Sequence, residues 1–82
     1  MPIPADLLRK LSADERTFLV LLEENGSLKT SEIAHLMSKA PGRVSGLIAQ
    51  LRRKLHAARV SPFVAEALPT GETLYRYTGA GG

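Results

Sequence analysis

The sequence predicts a mainly α fold closed by a small β-hairpin, and three observations carry that prediction. Apolar residues recur at helical spacing in three successive stretches, the last holding Val44, Leu47, Ile48, Leu51 and Leu55. A capping pair, Ser12 with Glu15, and an Asn25-Gly26 stop bracket the first stretch. Two short runs rich in β-branched, aromatic and alanine residues, 63–68 and 73–78, flank the turn tetrad Pro69-Thr70-Gly71-Glu72. Eighty-two residues with 44% hydrophobic content and no internal linker rich in glycine and proline make one small domain with little stability to spare.

Residues 1–4 contain two prolines and are expected as an extended arm leading into a short helix over 5–11. Ser12 then opens a capping box, its hydroxyl accepting from a free amide of the first turn while Glu15 reaches back. Phe18, Leu19, Leu21 and Leu22 form the apolar stripe of this helix, Glu23 and Glu24 are solvated, and Gly26 supplies the left-handed residue that commonly ends a helix. Asn-Gly also marks hairpin turns, but the preceding period is helical rather than alternating. Leu28 can lie in a brief strand. Thr30 or Ser31 can cap a short helix that buries Ile33, Ala34, Leu36 and Met37 and ends near Ser38.

Ala40-Pro41-Gly42 breaks the chain, because a residue before proline avoids helical angles while proline itself suits a first helical turn. A long helix is expected from Pro41 to about Arg59, a rod on the order of 25 Å, stopped by Ser61-Pro62. The hairpin follows, with Gly71 in a backbone conformation that other residues resist, and residues 79–82 form a flexible tail. The organisation is thus an amino-terminal arm and short helix over 1–10, a single folded domain over 11–78, and the tail.

Charge is distributed unevenly. The net charge is +3, but residues 33–65 contain no acid and hold Lys39, Arg43, Arg52, Arg53, Lys54 and Arg59, leaving five bases against eight acids elsewhere. Such polarity is the footprint expected when one face meets a polyanion, although an ordinary solvated helix face gives the same count. With Val44, Leu47, Ile48, Leu51 and Leu55 toward the core, a rotation of about 100° per residue puts Gly42, Gly46, Ala49, Gln50 and Arg53 on the opposite side. An interior glycine costs a helix about 1 kcal/mol relative to alanine, so small residues there suit a surface that must come very close. Gln50 has the amide geometry for an adenine edge and Arg53 the fork for guanine or phosphate. Arg43, Ser45 and Arg52 flank that face and suit the phosphate walls of a groove, as do Lys39, Lys54, Arg59 and Arg76. Alternatively, Gly46 relieves packing against a neighbouring helix and Gln50 is merely solvated.

The order of helix, short helix, three-residue break, long basic helix and hairpin is that of a three-helix winged helix-turn-helix. The segment LSADERTFLVLLEENGSL resembles the opening of the winged-helix effector domains of two-component response regulators, with their Leu-Thr-x-x-Glu start and glycine turn. VSGLIAQLRRKL is similar to their recognition helix, and Tyr75-Arg76-Tyr77 falls where their last strand carries an aromatic. The resemblance covers residues 11–78 and implies that Arg43, Ser45, Gln50 and Arg53 read DNA while the hairpin around residues 70–72 touches an adjacent minor groove or phosphate. It does not extend to a receiver domain or an amino-terminal β-sheet, and only residues 38–41 separate the two helices where that family has a long loop. The short turn is closer to the generic winged helices of small bacterial repressors, phage regulators and plasmid proteins.

Other chemistry is weakly supported. There is no cysteine, which excludes disulfides and thiolate metal sites and suits a reducing cytoplasm. His35 and His56 fall on different helices with no carboxylate at ligand spacing, so no metal or cofactor is expected. No nucleophile elbow, P-loop or dinucleotide signature occurs, so the chain is not expected to be an enzyme. No apolar run approaches the roughly 20 residues that span a bilayer, and the leucines of the basic helix are needed for the core rather than for a lipid surface. The expected function is sequence-specific binding of double-stranded DNA by a small bacterial, cytoplasmic transcription regulator, with helix 41–59 in the major groove. A homodimer through Leu7, Leu8 and Leu11 would suit a palindromic site. The alternative is a winged helix that binds an acidic protein partner in a larger assembly, because fold alone does not choose between the two.

Overall fold

The computed structural model describes residues 3–79 of the chain. Four helices and a three-stranded antiparallel sheet follow one another as α1 (Ala5–Lys10), α2 (Ala13–Asn25), β1 (Ser27–Lys29), α3 (Thr30–Met37), α4 (Pro41–Ala57), β2 (Phe63–Ala67) and β3 (Thr73–Tyr77). The expected arm retains only Ile3 and Pro4 within the described residues, and the tail only Gly79.

Local chemistry sets most boundaries. Ser12 caps α2 through a complete capping box: its Oγ accepts from Glu15 N–H at 3.2 Å, and Ser12 N–H donates to Glu15 Oε1 at 2.7 Å. Gly26, at φ 81°, ends the helix in a conformation that favours glycine. At the next helix the expectation shifts by one residue. Lys29 occupies the cap position, its amide donating to Glu32 Oε1 at 2.7 Å, while the Thr30 hydroxyl donates across to the Thr73 carbonyl at 3.3 Å.

Helix α4 starts at Pro41 as expected but ends at Ala57, two residues before Arg59. Arg59 itself is left-handed at φ 57°; its amide donates to the His56 carbonyl and that of Val60 to the Leu55 carbonyl, each at 3.0 Å. This is a Schellman closure, and its usual apolar contact is supplied by Val60 folding back to the core beside Leu55. Ser38 closes α3 in the same way without a glycine, at φ 55°.

The hairpin is part of a larger sheet of order β1-β3-β2, in which Leu28 pairs with Tyr75 and Ala65 lies on Tyr75's other side. The strands end at Ala67 and Tyr77, one residue short of the expected 63–68 and 73–78. Gly71 has the expected left-handed φ, 92°. Phe18 of α2, Phe63 of β2 and Tyr75 of β3 meet edge to face with ring centroids 5.3 to 6.0 Å apart, which joins the sheet to the helices.

Around that triad, Leu19, Leu22, Leu28, Ile33, Ala34, Val44, Ile48, Leu51 and Leu55 complete one core. Three expectations are corrected here. Leu36 points away from the core and is 48% exposed, because an eight-residue helix packed on one side by Ile33 and Ala34 has turned it outward. Leu47, at the edge of the α4 stripe, is half-buried outside the core, while Leu21 and Met37 are half-buried against it. Leu7 and Leu11, expected in a dimer interface, are buried in the core, so only Leu8 of that trio reaches solvent.

Candidate nucleic-acid interface

Helix α4 is divided lengthwise. Val44, Ile48, Leu51 and Leu55 are buried on one side, and Gly42, Arg43, Ser45, Gly46, Ala49, Gln50, Arg52 and Arg53 are exposed on the others. Gly42, Gly46 and Arg53 lie nearest the direction opposite the core, with Gln50 and Arg43 toward the α2 side and Ser45, Arg52 and His56 toward the sheet side.

The two glycines bear on one of the alternatives for that face. A Cβ built on Gly42 or Gly46 meets nothing within 4 Å, so no neighbouring helix requires either glycine. Both glycines border a shallow hollow in the surface. Lys39, Gly42, Arg43, Gly46 and Gln50, all expected in the site, line one shallow concavity together with Leu47 and Asp14.

The cations fall into two groups. Lys54, expected to reach phosphate, is half-buried beside α2: its Nζ donates to Glu15 Oε1 at 2.7 Å and to the Lys10 carbonyl at 3.1 Å. Glu15 is fully buried, and its Oε2 has no hydrogen-bond partner among the described residues. Burial pushes the Glu15 carboxyl up, but the Lys54 ammonium and the bonds from Ser12 outweigh it and hold the group below its ordinary value of 4.5. Lys39 pairs with Asp14 at 2.9 Å, on the rim of the concavity. Arg76 pairs with Glu66, both exposed, on the face of the hairpin opposite the buried Tyr75. Arg43, Arg52, Arg53 and Arg59 are exposed and enter no ion pair among the described residues.

The turn between β2 and β3 is tied down at one end. Glu72 Oε1 accepts from the Ser31 amide at 3.0 Å, at the start of α3, and the hydrogen bonding to Ser31 holds its carboxyl below the usual range. Pro69, Thr70 and Gly71 remain exposed. The tip therefore carries no free cation, and its acid is used internally.

Sequence reasoning missed the Lys54–Glu15 bond, although a signal was present: Lys54 follows Leu47 and Leu51 at helical spacing, on the edge of the apolar stripe rather than opposite it. His35 and His56 are both exposed, and no group of three potential metal ligands gathers among the described residues. No helix among them is long and apolar enough to cross a membrane. Comparison of the chain with protein-family models, curated proteins and solved structures finds no match.

Proposed function

We propose that this chain is a winged-helix DNA-binding domain of a small bacterial transcription regulator, which docks α4 in the major groove of double-stranded DNA. The order α2, β1, α3, α4 and hairpin, with a three-residue break between α3 and α4, supports a winged helix-turn-helix. The observation that carries the function is the outward face of α4: glycines with open space above them, beside Gln50 and Arg53, with no acid on the helix. Without side chains at 42 and 46, base edges can approach the helix backbone. Gln50 and Arg53 then reach bases, and Arg43, Arg52 and Arg59 reach the phosphates on either wall. Asp14 keeps Lys39 a weaker contributor, and Lys54 is engaged internally.

The test is Gly46→Leu. Gly46 is exposed, a Cβ there meets no neighbour and leucine raises helix propensity, so the protein is expected to stay folded. Its affinity for duplex DNA selected from a random pool falls more than about tenfold, because the side chain occupies the space the base edges need. In parallel, affinity of the unaltered chain falls with salt at a log–log slope of about −3, roughly −0.9 for each of the three phosphate-directed arginines. A folded Gly46→Leu protein that binds DNA at full strength, with a flat salt response, favours instead a module for an acidic protein partner.

A further inference from the structure

Helix α2 buries Glu15, Phe18, Leu19 and Leu22 and turns Ala13, Arg16, Thr17, Val20 and Glu24 to solvent. Val20, 51% exposed, is the most exposed of the large apolar side chains in the described residues. It stands between two shallow hollows, one walled by Ile3, Leu8, Leu19 and Tyr77 with Arg16 and Glu23 at its edge, the other by Ala13, Thr17 and Leu21 with Arg16 again. A lone exposed valine is ordinary; a valine flanked on both sides by further apolar surface is a patch.

Val20 is also the midpoint of a charge pattern. Arg16 precedes it by four residues and Glu24 follows it by four, so both stand on its face of the helix, and neither is in an ion pair among the described residues. Two antiparallel copies of α2 related by a two-fold axis at Val20 bring each residue opposite the one equally far beyond Val20 in the other copy. Arg16 of each then meets Glu24 of the other, and the two valines lie side by side in the facing hollows. A parallel pairing would set Arg16 against Arg16 and Glu24 against Glu24, which like-charge repulsion opposes.

We propose that the outer face of α2 is a self-association surface, on which two copies of this chain pair antiparallel about Val20. The surface lies on the exposed side of α2, whereas α2 meets α4 through the buried Glu15. The proposal does not rest on DNA binding and is tested without DNA.

Sedimentation equilibrium of the whole chain is expected to give a reversible monomer–dimer equilibrium. Val20→Asp, with an unchanged circular dichroism spectrum, weakens the dimer at least about tenfold. Arg16→Glu and Glu24→Arg each weaken it when alone. Mixed in equal amounts, those two variants dimerise with each other, because every contact in the mixed pair again joins opposite charges. A chain that is monomeric at every soluble concentration overturns the proposal, as does a dimer indifferent to Val20→Asp or a mixture that associates no better than either variant alone.

Discussion

Arg53 and Lys54 are neighbours in the chain with the same charge, and they do opposite things. Arg53 stands exposed on the outward face of α4, outside any ion pair among the described residues, whereas Lys54 is turned toward α2 and bonded to Glu15 and to the Lys10 carbonyl. Lys39 and Arg43 repeat the contrast one turn before and inside the same helix, Lys39 held by Asp14 and Arg43 without an acid. The acids that engage the two lysines come from α2, outside the acid-free block. A basic stretch therefore sets an upper bound on the charge a partner can use. Here four arginines stay outside ion pairs among the described residues, and under the proposed function their planar, multi-donor guanidinium suits phosphate and guanine better than an ammonium does.

That comparison can be broken from beneath. Leu51 is fully buried under both kinds of cation, so Leu51→Ala is expected to cost about 2–5 kcal/mol and to unfold a large fraction of so small a domain, read from thermal or urea denaturation. A melting curve unchanged by that substitution would reverse the orientation of α4 and, with it, the division between inner and outer cations.

Next in size is the inner cation itself. Lys54→Ala leaves the buried Glu15 carboxylate without its counter-charge, which costs about 2–3 kcal/mol, less than for a pair buried on both sides because the lysine keeps some solvent. The same change leaves the salt slope of DNA binding where it was. Acid sharpens this further. The Glu15 carboxyl is depressed in the folded chain relative to the unfolded one, so its stabilisation is complete above the ordinary value of 4.5 and is lost as pH falls through the lower folded value. Urea titrations at decreasing pH are expected to show that loss below 4.5 in the unaltered chain and a flatter profile in Glu15→Gln.

The outer cations behave in the reverse manner. Arg52→Ala changes stability by less than about 0.5 kcal/mol, weakens binding to all DNA sequences alike and lowers the salt slope by about one unit. Arg53→Ala costs about 1–3 kcal/mol, mainly on the preferred site. The smallest effect belongs to Arg76→Ala: its pairing with Glu66 is exposed on both sides, and its loss changes stability by about 0–1 kcal/mol and DNA affinity hardly at all. A salt slope lowered by Lys54→Ala and untouched by Arg52→Ala would exchange the two groups.

Much of the architecture is set by short-range chemistry and is legible in the sequence. The Ser12–Glu15 box, the Gly26 stop, the Pro41 start and the Gly71 turn each depend on a few adjacent residues, and the 3.6-residue period fixes the apolar side of α4. The sequence determined, by the same logic, that Gly42, Gly46 and Arg53 share the side opposite the core, while Gln50 lies on its α2 flank. What it leaves open are partners far apart in the chain. Leu28 became a sheet strand because Tyr75 lies beside it, Leu7 and Leu11 became core because the body of the domain covers them, and Leu36 faces solvent because no element among the described residues packs there. Lys54 left the charged face for Glu15, 39 residues away, and Asp14 reached Lys39 from another helix. Periodicity reports the direction in which a side chain points from its own axis; only the packing of α2 against α4 decided what stood in that direction.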